Sequence, residues 1–93
     1  MLPRYHKTVA TGTWFYDGVV PHRIEIYARP AEFAGSRYDD DEQLDEKSPI
    51  PETPDGCVYY VGATSGGEFR SLADAMAWAE VQPWGPVKWD KIL

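Results

Sequence analysis

Ninety-three residues, 43% hydrophobic and 14% aromatic, suit one folded domain with a single modest core and exclude both a disordered chain and a two-core protein. The formal charge of -6 belongs to one stretch: residues 39–55 hold eight acids against Lys47 alone, while the remainder holds seven acids and eight bases. Neither part has the basic stripe that a phosphate backbone requires, so direct nucleic-acid binding is not expected. One cysteine, Cys57, excludes an internal disulfide and any multi-cysteine metal site. No charged-then-apolar leader is read, and no apolar run approaches the ~18 residues that span a bilayer. The expectation is a soluble cytoplasmic protein that does not engage membranes.

Met1 to His6 reads as a lead-in, with Pro3 opposing regular structure. Lys7 to Tyr16 is rich in Thr, Val and aromatics and predicts a first strand, with Gly12 at a bulge. Asp17–Gly18 is a hairpin signal, although Pro21 delays a clean second strand. Arg23 to Arg29 alternates, with Ile24, Ile26 and Ala28 on one face and Arg23, Glu25, Tyr27 and Arg29 on the other. This is the second strand, and Pro30 ends it.

From Ala31 to Gly56 the chain has no usable period and holds a block of acids. Ordinary connections run to about 4–6 residues, so one this long is functional or mobile. Asp39 to Asp55 is expected to be mostly solvated and flexible, with Phe33, Tyr38, Leu44 and Ile50 as tacking points. Cys57 to Gly62, CVYYVG, predicts a third strand.

Ser71 is a good N-cap, and Leu72, Ala75, Met76 and Ala79 recur at the spacing of one buried helix face. Pro83 and Gly85–Pro86 end the helix near Gln82. The expectation is that Leu72 and Met76 bury against Ile24 and Ile26. Val87 to Ile92 predicts a last strand. Trp78, Trp84 and Trp89 would close the core where helix and last strand meet. The order β-β-β-α-β predicts an α+β domain spanning 1–93, with one helix on one face of a mainly antiparallel four-stranded sheet. A right-handed crossover would set the last strand parallel to the third and beside the first.

The chemistry-bearing residues do not converge. Gly62-Ala-Thr64-Ser-Gly66 lies between strand and helix but puts Thr64 where a nucleophile elbow needs Ser, and it lacks the ending of a phosphate loop. Asp39, Asp40, Asp41, Glu42, Asp45 and Glu46 form an acidic loop without the alternation or central Gly of a calcium loop, so no structured metal site is expected. His6, His22 and Cys57 are the near-neutral titrating groups, and adjacent antiparallel strands would hold His22 and Cys57 at opposite ends. No catalytic constellation and no cofactor motif emerges.

The leading expectation is therefore a non-enzymatic interaction module that binds a protein partner or forms a homodimer through the open sheet face. Its candidate contact residues are Trp14, Tyr16, Tyr27, Val58 and Tyr60, with Phe15 replacing Trp14 and Tyr16 if the first strand falls in the other register. The alternative for that face is a monomer whose 31–56 loop folds back over it. Two further functional alternatives are an acidic inhibitor or nucleic-acid mimic acting through residues 39–55, and a small-ligand binder or enzyme without a recognisable motif.

Overall fold

Thr, Val and aromatic residues from Lys7 to Tyr16 form strand β1, and Val20–Pro30 returns antiparallel as β2. The computed structural model describes residues 7–41, 43–62, 67–83 and 86–92. Asp17 and Gly18 turn the hairpin at φ 50° and 72°, the left-handed pair that matches strand twist and that Asp and Gly tolerate best. Pro21 does not delay β2: it pairs with Phe15 where β2 has no outer neighbour, the position at which a strand accepts proline.

Cys57–Val61 forms β3 on the outer side of β2, and Lys88–Ile92 forms β4 on the outer side of β1. The order is β3-β2-β1-β4 with every neighbouring pair antiparallel. β4 therefore sits beside the first strand as expected but runs antiparallel to β3, correcting the parallel crossover. Its connection through the helix carries the chain past both central strands to the far edge, where antiparallel pairing with β1 sets its direction.

Helix α1 spans Leu72–Glu80, with the Ser71 hydroxyl accepting from the Asp74 amide at 3.1 Å. It lies over β3 and β2 and docks through Ala75 and Ala79, both fully buried. Leu72 and Met76 flank that contact half-buried, so the expectation that they carry the burial is corrected. Alanine has no side chain to hold the helix off the sheet; the larger residues straddle the line of closest approach.

The core between helix and sheet contains Val9, Ala10, Ile24, Ile26, Ala28, Tyr59, Val61 and Val87, rimmed by Phe69, Trp78 and Trp89. Trp89 donates its indole N–H to Glu80 at 3.0 Å, tying β4 to the helix end. A bulge at Val9 sets the phase of β1, so that Ala10, Gly12 and Trp14 share the helix face with Ile26, Ile24 and His22. Gly12 is needed there for close approach: a Cβ on it would meet the Lys88 carbonyl oxygen at 2.9 Å and the Trp89 ring at 3.0 Å.

Candidate functional site

The outer sheet face is divided. Beyond Pro30, two 3₁₀ turns at Ala31–Phe33 and Gly35–Arg37 fold back over it, and Ala31 and Ala34 bury Val58 completely. The Gly35 amide donates to the Tyr60 hydroxyl at 2.7 Å, and that hydroxyl donates to Glu68. Glu68 also accepts from the Ser36 hydroxyl at 2.9 Å. Burial, then this bond to a carboxylate, raises the Tyr60 hydroxyl well above the ordinary tyrosine range. Arg29 is 3% exposed, its guanidinium 5.7 Å from the Tyr38 ring centroid and 5.6 Å from that of Tyr60, and its Nε has no hydrogen-bond partner among the described residues.

Farther along, Arg37 anchors the excursion from inside. It is buried, donating to the Ser48 hydroxyl at 3.0 Å and to the carbonyls of Glu32 and Asp45. Tyr38 and Leu44 form an isolated bridge, and Asp39 accepts from the amides of Asp41 and Gln43, both at 2.9 Å. Asp45 accepts from the Lys47 amide at 3.0 Å. Two carboxylates of the acidic loop thus brace its own backbone. Asp40, Asp41 and Glu46 are exposed, and Glu42 lies outside the described residues. Of the four tacking points, Phe33, Tyr38 and Leu44 are half-buried, whereas Ile50 is exposed.

Asp55 braces the loop's exit in the same way, accepting from the Cys57 amide at 3.0 Å and from the Tyr59 hydroxyl. This bond, with burial, pushes Tyr59 up to about 12, and the same bond is the largest influence holding Asp55 below its ordinary 3.8. For a proton held more tightly in the folded state, stability is complete below pH 10 and falls as the unfolded tyrosine ionises between pH 10 and about 12. Tyr60 adds to the same alkaline limb. Asp55 has the opposite sign, since its contribution is present above the ordinary carboxylate range and is lost as pH falls through it. Tyr59→Phe should shallow the alkaline fall in unfolding free energy by about one proton and also weaken the acid limb. Urea midpoints measured from pH 3 to 11 check this; an alkaline limb unchanged by Tyr59→Phe would show that the bond does not hold the proton.

The five candidate contact residues do not form one patch. Tyr27 and Tyr60 stack on the outer face at 5.3 Å between centroids, with Tyr60 half-buried under Gly35. Val58 is inaccessible. Trp14 and Tyr16 fall on the helix side of β1, since Trp14 pairs with His22 two residues beyond the Gly12–Ile24 pair. Phe15 takes the outer face. What remains uncovered of that face is mostly Thr11, Thr13, Arg23, Glu25, Lys88 and Lys91, a polar surface suited to water.

A second surface replaces it. β4 pairs with β1 only from Ala10 to Thr13, and β3 pairs with β2 only from Ile26 to Pro30, so the β1–β2 hairpin projects beyond both. The molecule is accordingly long, 46 × 28 × 21 Å. At the projecting end Phe15 is 44% exposed, Tyr16 57%, Val19 74% and Val20 46%. Trp14 stacks on His22 at 4.7 Å, and Tyr16 meets the same imidazole edge-on at 6.4 Å. A cleft of about 590 Å³ runs between this end and the turn after the helix, lined by Trp14, Phe15, Tyr16, Asp17, Gly18, Pro83 and Pro86.

No protein-family model, curated protein or solved structure matches this chain.

The reading of function therefore rests on geometry. His22 is taken up by aromatic stacking at the hairpin end, and Cys57 pairs with Pro30, eight positions farther along β2 and roughly 26 Å away at strand rise. They form no dyad. His6 and most of Gly62–Gly66 lie outside the described residues, as does Trp84. Among the described residues no three His, Cys, Asp or Glu side chains are grouped to hold a metal, and no helix is long and apolar enough to cross a membrane. Sequence reasoning offers Phe15 only for the other register of β1, reads Pro83 and Pro86 only as helix stops, and gives Val19 and Val20 no role. Their signal was present in WFYDGVVP: three aromatics before the turn and three apolar residues after it leave both faces of a hairpin end apolar, where a solvated tip alternates.

Proposed function

We propose that this chain is a non-catalytic interaction module whose contact surface is the projecting end of the β1–β2 hairpin, and that its partner is a protein. The observation that carries the reading is the joint exposure of Phe15, Tyr16, Val19 and Val20 on one protruding element. Scattered apolar residues on a surface are ordinary; exposed aromatic and aliphatic residues gathered on both faces of one hairpin end have the composition of an interface centre. Asp17 and Gly18 fix the turn, so the surface is presented with little conformational freedom left to lose on binding. The acidic-mimic alternative draws less support, because Asp39 and Asp45 are engaged by their own backbone.

Site-specific photo-crosslinking tests the proposal. p-Benzoylphenylalanine in place of Val20 should form adducts in producing cells, whereas the same group in place of Thr11 or Lys91, on the polar sheet face, should form few. An adduct of twice the chain mass identifies a second copy as the partner. Equal yields from hairpin and sheet face, or none from the hairpin, would remove the hairpin as the contact surface.

A further inference from the structure

We infer that the cleft where the 31–56 excursion meets the segment leading into α1 binds a small zwitterion with an apolar body, the chemistry of an apolar α-amino acid or a short apolar peptide. The cleft holds about 540 Å³, within the size range of small-ligand sites, and shares no lining residue with the cleft at the hairpin end. Among the described residues its charged lining is Arg37 and Arg70 with Glu52 and Glu68, and none of the four makes an ion pair with another. Arg37, 6% exposed, donates from Nε to the Ser48 hydroxyl and from its terminal nitrogens to the carbonyls of Glu32 and Asp45. Those bonds use three of a guanidinium's five N–H groups, and the others have no partner among the described residues. Arg70 makes a long 3.5 Å contact to the Glu52 carbonyl. Glu68 Oε1 accepts from the Tyr60 hydroxyl and the Ser36 amide, whereas Oε2 accepts from the Ser36 hydroxyl and has room for a second donor.

Charge balance selects the ligand. An anion would meet Glu52 and Glu68, and a cation would meet Arg37 and Arg70, whereas a zwitterion offers each pair its opposite sign. The ligand's carboxylate accepts from Arg37 and Arg70, and its ammonium donates to Glu68 and Glu52. Ile50 supplies the apolar side. It is 53% exposed between Pro49 and Pro51, whose rings fix the backbone around it, so it is presented at little further entropic cost.

Calorimetric titration of the full chain with L-leucine, N-acetyl-leucine, leucinamide, glycine and leucyl-leucine decides the matter. Leucine should bind, and removal of either charge, in N-acetyl-leucine or in leucinamide, should weaken binding about tenfold or more. Glycine, which lacks the apolar body, should also bind about tenfold more weakly. Leucyl-leucine binding more tightly than leucine assigns the site to peptide termini, and weaker binding assigns it to the free amino acid; both support the zwitterionic class. Arg70→Gln and Glu52→Gln, at exposed positions, should each weaken leucine severalfold at an unchanged urea midpoint. Arg70→Gln should also shrink the preference for leucine over leucinamide. Tyr16→Ala, in the hairpin, should leave leucine binding as it is. Leucine that binds no better than N-acetyl-leucine or leucinamide, an affinity unmoved by both charge substitutions, its loss in Tyr16→Ala, or no binding up to about 20 mM would each overturn the inference. The hairpin crosslinks involve none of these cleft residues, so the two readings stand or fall separately.

Discussion

Ile26→Ala is expected to cost about 2–5 kcal/mol, a large part of the roughly 5–15 kcal/mol that holds a domain folded. Ile26 is fully buried in the middle of β2, between Ala10 across β1 and Val61 across β3, within the core that receives α1. Paired strands flank it on both sides, and the helix docks through alanines that have no longer side chain to fill a void. The cavity should therefore persist. Leu72→Ala, at a half-buried position beside the helix contact, should cost distinctly less. Urea unfolding measures both, as a shift of midpoint at constant slope. Equal losses would mean that the helix docks through its bulky row and that Ala75 and Ala79 are incidental.

Arg37→Met should loosen one segment rather than the whole domain. The substitution keeps an apolar stem but removes the donors to Ser48 and to the carbonyls of Glu32 and Asp45, which join three separate parts of the 31–56 excursion. The Asp45 carbonyl keeps the Ser48 amide and hydroxyl, so the loss falls mainly on the Glu32 carbonyl and on the buried guanidinium's bracing, at about 1 kcal/mol or a little more. Arg37→Lys should restore little, since a single ammonium cannot reach three acceptors in the directions a guanidinium does. Amide hydrogen exchange is the deciding measurement. Protection should fall at Arg37, Tyr38, Asp39, Asp45 and Ser48, whose amides donate within the excursion, and stay unchanged in β1 and α1. A uniform loss would make Arg37 part of the global core.

Strand identity was legible wherever one face met the core and the other met water. Arg23 to Arg29 alternates for that reason, and both β2 and β3 place their side chains as the alternation says. Ser71 announced the helix by a hydrogen bond local to its first turn, which tertiary packing need not supply. The β1 register was not legible. Its Thr residues suit either face, and the bulge at Val9 shifts the phase by one, exchanging Trp14 for Phe15 on the outer side. Helical periodicity likewise named the buried face of α1 but not the row of closest approach, because spacing carries no information on side-chain height. The fold-back of Ala31–Arg37 follows from non-local bonds between Gly35, Tyr60 and Glu68, for which a linear pattern has no mark. The candidate site suffered most from this. Alternation assigns residues to one sheet face, whereas the exposed aromatics gather at an end, where the two neighbouring strands stop short.

The pairing of β4 with β1 has a consequence in time. Thr13 and Asp90, joined across it by a 3.2 Å hydrogen bond, stand 77 positions apart in sequence, whereas β1 and β2 meet across a tight turn. Closing the longer loop costs roughly 2–3 kcal/mol more in chain entropy, so the hairpin can form early and β4 docks late. Until then the whole outer edge of β1 is an open template, running from Ala10 into the Trp14–Phe15–Tyr16 run. The nascent protein thus passes through a stage in which the β1 edge from Ala10 to Thr13 lies open beside its aromatic run, and Lys88 and Lys91 arrive with the strand that closes that part of the edge.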